Sequence, residues 1–192
     1  MACPPRPTAP AFAVALAAGL ALLTGCGRGS DLPPLPRITA EYRLGPGDVI
    51  RIVTYGEEQL SGEFRVGDTG RVALPLLGAV PAAKYTPREF QEEVASRLRE
   101  AGLLQAPSVS VEVTGYRPFY VLGEVNKPGQ YAYQPGITVL GAVAMAGGFT
   151  YRAVEDYAGV VRVAEGRSLE GRAARRDAVQ PGDVITIYER RF

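Results

Sequence analysis

Cys26 stands directly behind Leu23-Thr24-Gly25, at the end of an apolar run over residues 11–23. A thiol in that setting matches the lipobox of exported lipoproteins, in which the cysteine is lipidated and becomes the first residue of the mature chain. The run is 13 residues long, so as a helix it reaches about 20 Å, short of the ~30 Å hydrocarbon core. With Arg6 as its only charge, the segment 1–25 reads as a secretory signal peptide. An ordinary signal peptide with an incidental cysteine is the plainer alternative. The chain has two cysteines, and Cys3 leaves with the signal. Cys26 is then the sole cysteine of the mature chain, and no intramolecular disulfide can form.

Other chemistries are thinner. The 192 residues contain no histidine, which rules out a Ser-His-Asp or Cys-His relay, a His-liganded metal and an imidazole pH sensor. Two carboxylates suffice for glycoside cleavage if they face each other at a suitable separation. Glu57, Glu58 and Glu63 are the candidates, but they fall in a loop and a strand start without an aromatic platform and read as solvated surface acids. No catalytic, metal-binding or cofactor-binding residue is assigned, and no cofactor is expected. Without Arg6, 20 basic residues face 20 acidic ones, whereas a nucleic-acid binder normally carries a basic excess. Tyr116, Phe119, Tyr120, Tyr131 and Tyr133 cluster in sequence, and aromatic faces can stack on sugars. Tyr116, Tyr120 and Tyr131 are the candidate glycan contacts; the alternative is cross-strand packing, with Tyr131 and Tyr133 on one strand face. The arginine-rich stretch 167–176 reads as an exposed loop or subunit contact rather than a polyanion site.

The elements that must position these residues are mostly strands. With 23 glycines and 16 prolines, about a fifth of the chain is turn-forming, below what disordered sequences carry. An internal echo pairs Gly45-Pro46-Gly47-Asp48-Val49-Ile50-Arg51-Ile52 with Gln180-Pro181-Gly182-Asp183-Val184-Ile185-Thr186-Ile187. Pro followed by Gly is type II turn chemistry, and the aspartate after it can close the turn through its side chain. Asp48 and Asp183 are therefore structural. Alternation and β-branched content predict strands at 49–55, 63–66, 71–74, 109–114, 119–124, 130–133, 158–163 and 184–188. Gly67-Asp68-Thr69-Gly70 reads as a hairpin turn. Thr86, Pro87 and Glu89 form a capping box ahead of Phe90, Val94 and Leu98, with Gly102 as the stop. A shorter helix is predicted over 138–146, apolar almost all round and hence buried. The fold class is α+β, mostly β.

These residues carry a resemblance. Tyr42-Arg43-Leu44-Gly45-Pro46-Gly47-Asp48, Leu60-Ser61, Gly70, Leu74-Pro75-Leu76-Leu77-Gly78, the capped helix and Pro107-Ser108-Val109-Ser110-Val111 resemble the polysaccharide export domain of bacterial outer-membrane capsule and exopolysaccharide secretion lipoproteins. Val121-Leu122-Gly123-Glu124-Val125, Pro128-Gly129, Thr138-Val139-Leu140 and Ala146-Gly147-Gly148 are similar to the soluble-ligand-binding β-grasp (SLBB) domain that follows in that family. The resulting division is a lipoprotein signal peptide at 1–25, a Gly/Ser- and Pro-rich tether at 26–40, the export domain at 41–115, and the SLBB-type domain with its closing strand at 116–192. As polyproline II, the tether would hold a domain up to roughly 40 Å off a membrane.

The resemblance implies a non-enzymatic, ring-forming subunit of a passive conduit, lipid-anchored through Cys26 at the periplasmic face of the outer membrane. The implied partners are further copies of itself, an inner-membrane polysaccharide copolymerase and the polysaccharide in transit. Longer relatives end in an amphipathic helix that crosses the outer membrane. This sequence stops at Phe192 without one, so a separate outer-membrane pore protein is expected as a further partner. Gly141 stands where the family often has an acidic residue. The alternative function is a periplasmic carbohydrate-binding lipoprotein module.

Overall fold

The computed structural model describes residues 31–36, 41–164 and 166–190. The signal peptide, Cys26 and much of the tether lie outside the described residues. In the first module, β1 (Val49–Thr54) lies between β2 (Gly62–Arg65) and β5 (Val109–Gly115), antiparallel to both. Alternation along β1 sends Ile50, Ile52 and Thr54 inward and leaves Arg51 and Val53 exposed. A separate pair, β3 (Arg71–Leu74) and β4 (Gly78–Pro81), completes the strands. Helix α1 (Pro87–Glu100) lays Phe90, Val94 and Leu98 into the core these strands share, each side chain contributing roughly 1.5–3 kcal/mol by burial. Its capping box forms as expected. Glu89 N donates to Thr86 Oγ1 at 3.1 Å, and Thr86 N donates to Glu89 Oε2 at 2.8 Å. That backbone N–H, with Arg43 behind it, holds the Glu89 carboxyl below the usual range.

The second module has its own core. Five strands run in the order β7 (Gly129–Tyr131), β6 (Phe119–Gly123), β10 (Val184–Ile187), β8 (Tyr157–Ala164) and β9 (Arg167–Ala174), with β6 and β10 parallel and the other neighbours antiparallel. Helix α2 (Val139–Met145) buries Val139, Ala142 and Val143 against one face, behind an N-cap at Thr138.

Four expectations need correction. The Gly67–Gly70 turn forms, with Gly70 N donating to Gly67 O at 2.8 Å, but it does not close a hairpin. Val66 is pinned by hydrogen bonds to Gly47 and Asp48, so β2 stays with β1 while the chain leaves to pair β3 with β4. Strand β4 was not expected at all; it is four residues long and ends at a proline. The arginine-rich stretch is strand β9, paired along its whole length with β8, and its inward positions Gly171 and Ala173 are buried. Helix α2 is buried on one side only, since Leu140 and Met145 are exposed.

Residues 33–35, in the proline-rich stretch before the first module, lie against the second. Pro34 bridges Arg172 in parallel, Leu35 N donates to Arg172 O at 2.8 Å and Arg172 N donates to Pro33 O at 2.7 Å. Leu35 also packs against the second core.

Candidate functional site at the junction of the modules

The two Pro-Gly-Asp turns fold alike. Gly47 and Gly182 take φ of +94° and +86°, the left-handed conformation a type II turn needs at its third position. Asp48 N donates to Gly45 O at 3.2 Å, and Asp183 N donates to Gln180 O at 3.1 Å. Each aspartate then closes its turn from the side chain: Gly45 N and Gln180 N both donate to a carboxylate oxygen at 2.7 Å. Both aspartates are buried, so each carboxylate needs further donors.

Those donors differ. Asp183 is met within its own module by Arg162 of β8, through Nε at 2.9 Å and Nη2 at 2.6 Å, and Arg162 Nη2 also reaches Ala178 O at 3.0 Å. Asp48 is met by the connection between the modules. Arg117 donates its backbone N–H to Oδ1 at 3.0 Å and Nη1 to Oδ2 at 3.2 Å, and the Tyr42 hydroxyl donates to Oδ2 as well. Arg117 Nε turns the other way, to Pro181 O of the second turn, at 3.1 Å. One guanidinium therefore ties both turns together. A Cβ on Gly45 would lie 2.1 Å from Arg117 Nη1, so only glycine there leaves room for the clasp.

Aromatic rings frame this clasp. Tyr116 stacks edge-to-face on Tyr42 at 5.1 Å and on Tyr133 at 5.3 Å, and Arg117 Cζ lies 5.8 Å from the centre of the Tyr42 ring. Burial pushes the Tyr42 hydroxyl far above the ordinary tyrosine range, reinforced by its hydrogen bond to Asp48 and the charge there. Burial also raises Tyr116 and Tyr133.

The three candidate glycan residues do not meet on one surface. Tyr116 belongs to this ladder. Tyr120 is exposed on the outer face of β6, where it pairs with Gln130. Tyr131 faces the opposite side, tilted against Phe119 at 6.0 Å, with its hydroxyl donating to Lys127 O. Among the carboxylates, Glu63 pairs with Arg51 across β1 and β2 at 3.6 Å. Glu57 and Glu58 line an open surface depression with Tyr55 and Ser61, so the Glu57–Glu58 pair does have an aromatic neighbour, contrary to expectation. Sequence reasoning missed Arg117. The available signal was a lone arginine between two aromatic residues and a proline, at the point where one module's pattern stops and the next begins.

Fold and junction define a two-module protein in which a strand-and-helix domain is clasped to a β-grasp-like sheet. Residues 36–114 match the polysaccharide biosynthesis/export protein family, and residues 118–173 match the SLBB domain. The chain therefore carries a polysaccharide export domain followed by an SLBB domain. It is 39% identical over 157 residues to the exopolysaccharide production protein ExoF of Rhizobium meliloti (strain 1021), covering 70% of this chain and 37% of that protein. It is 28% identical over 145 residues to the EPS I polysaccharide export outer membrane protein EpsA of Ralstonia nicotianae, covering 62% and 38%. It is 31% identical over 117 residues to the polysialic acid transport protein KpsD of Escherichia coli, covering 56% and 20%. The chain thus spans between a fifth and two fifths of the length of these curated relatives.

Proposed function

We propose that this protein is a ring-forming subunit of a passive conduit through which a capsular or extracellular polysaccharide leaves the cell. The observation that carries the reading is the pairing of an export domain with an SLBB domain on one chain, matched in part by relatives named for polysaccharide production, export and transport. Its place is the periplasmic face of the outer membrane, held by lipid on Cys26, and its role is non-catalytic. A hydrated polymer needs a polar passage and little affinity along the walls, and the balanced charge suits that requirement. Among the described residues no helix is long and apolar enough to cross a membrane. In this reading its neighbours are a separate outer-membrane pore and an inner-membrane copolymerase. Electron microscopy of the lipidated protein extracted from its own membranes should show closed rings. Single particles without closure, or ion conductance across liposomes by the protein alone, would overturn the assembly proposed.

A second reading, a periplasmic carbohydrate-binding lipoprotein module, draws on Tyr120, an exposed aromatic ring on the open face of β6. NMR titration with the exported glycan separates the two. A conduit subunit gives weak or no saturable shifts, whereas a module saturates with Tyr120 among the shifted residues.

A further inference from the structure

We propose that the outer edge of the second module, strand β9 with its turn from β8, is the surface that faces the lipid bilayer. This rests on the reading of Cys26 as the lipid anchor. The carrying observation is where the chain is caught after that cysteine. Pro33 and Leu35 exchange backbone hydrogen bonds with both sides of Arg172, so the segment makes one parallel bridge along the outer edge of β9. The fit is close. A Cβ on Gly171 would lie 3.0 Å from both Cα and Cδ1 of Leu35, and Leu35 itself reaches the second core.

The catch shortens the leash. Seven residues separate Cys26 from Pro33, and a fully extended chain covers no more than about 25 Å in that length. Were the segment free up to Glu41, the same chain rule would allow roughly 50 Å, with the first module as the point held. Docking moves the held point to the far edge of the second module and halves the reach. Because the pairing is parallel, the upstream end of the segment lies on the side where β9 begins, next to the turn from β8. That end of the hairpin offers what a headgroup region accepts. Val163 is 68% exposed, Leu169 is 38% exposed and Arg167 is exposed beside them. Val163 pairs with Ser168 and Leu169 with Arg162, so the two apolar side chains project from opposite faces of the hairpin. Apolar groups flanking a cation suit an interface of acyl chains and phosphates.

The test uses the full-length lipidated protein in phosphatidylethanolamine–phosphatidylglycerol vesicles carrying a headgroup quencher. Intact mass reports acylation of Cys26, whose sulfur is then blocked, so a fluorophore goes to one added thiol, Ser168→Cys beside the turn or Thr69→Cys in the first module. The expected result is several-fold stronger quenching at 168 than at 69. Gly171→Val, which fills the space Leu35 occupies, should lower quenching at 168 toward the level at 69. Leu35→Ser should do the same from the segment's side without touching β9. An acylated protein whose label at 168 is quenched no more than the label at 69, or is insensitive to both variants, overturns this inference alone. A mass without acyl chains overturns the anchor and the inference with it.

Discussion

The turns at Asp48 and Asp183 share a backbone and a side-chain closure, yet they are put to different uses. Around Asp183 every partner belongs to the same module, and the Arg162 side chain that meets it is only 7% exposed. Around Asp48 the cation comes from the inter-module connection, and the Arg117 side chain keeps 27% of its surface in solvent. A repeated motif can thus serve once as an internal brace and once as a joint. The cation that answers its carboxylate decides which, because a buried charge must be paired wherever the fold supplies a donor.

The sharpest way to break this contrast is to remove the carboxylates in turn. Asp183→Ala leaves Arg162 charged, buried and unpaired, and should cost about 3–5 kcal/mol in urea denaturation. Asp48→Ala strands a cation that can swing into solvent, and about 2–3 kcal/mol is expected for the lost charge-assisted hydrogen bonds. If Asp48→Ala proved the more damaging of the two, the distinction between brace and joint would be lost. Arg117→Met should cost about 1–2 kcal/mol. It should also split one unfolding transition into two as the modules separate, and a single unchanged transition would show that Arg117 couples nothing.

Tyr42→Phe gives the smallest change, about 1 kcal/mol near neutral pH, for one hydrogen bond to Asp48. Its signature is alkaline. The Tyr42 hydroxyl ionises far more reluctantly in the folded protein than in the unfolded chain. Its contribution is therefore intact below about pH 10 and lost as pH rises beyond it, where the unfolded state releases the proton first. The variant should lose stability less steeply between pH 10 and 11. Tyr116, Tyr133 and Tyr188, also raised by burial, leave a residual slope.

Much of this architecture was legible because local chemistry and tertiary role agree. The Pro-Gly-Asp echo gave both turns and the strands after them, and Thr86-Pro87-Arg88-Glu89 gave the start of α1. The two missed strands lacked such agreement. β9 reads Arg-Ser-Leu-Glu-Gly-Arg-Ala-Ala, with no β-branched residue, and is a strand because β8 and residues 33–35 supply partners on either side. β4 is too short for alternation to register. At the junction, the tyrosines were visible as a cluster, but only the structure shows Tyr116 and Tyr133 stacked within the ladder, Tyr131 turned to the opposite face and Tyr120 left outside. Arg117 could not be ranked above the other arginines, since its importance depends on two loops 64 and 69 residues away from it in sequence.

The central position of β10 has a further consequence for how the protein is made. That strand follows all four of its sheet companions in sequence, yet it lies between β6 and β8, so a chain interrupted before residue 184 would leave the sheet as two unjoined halves. A nascent or partly threaded polypeptide therefore stays pliable in its second module until β10 has arrived, while the first module can already close around α1.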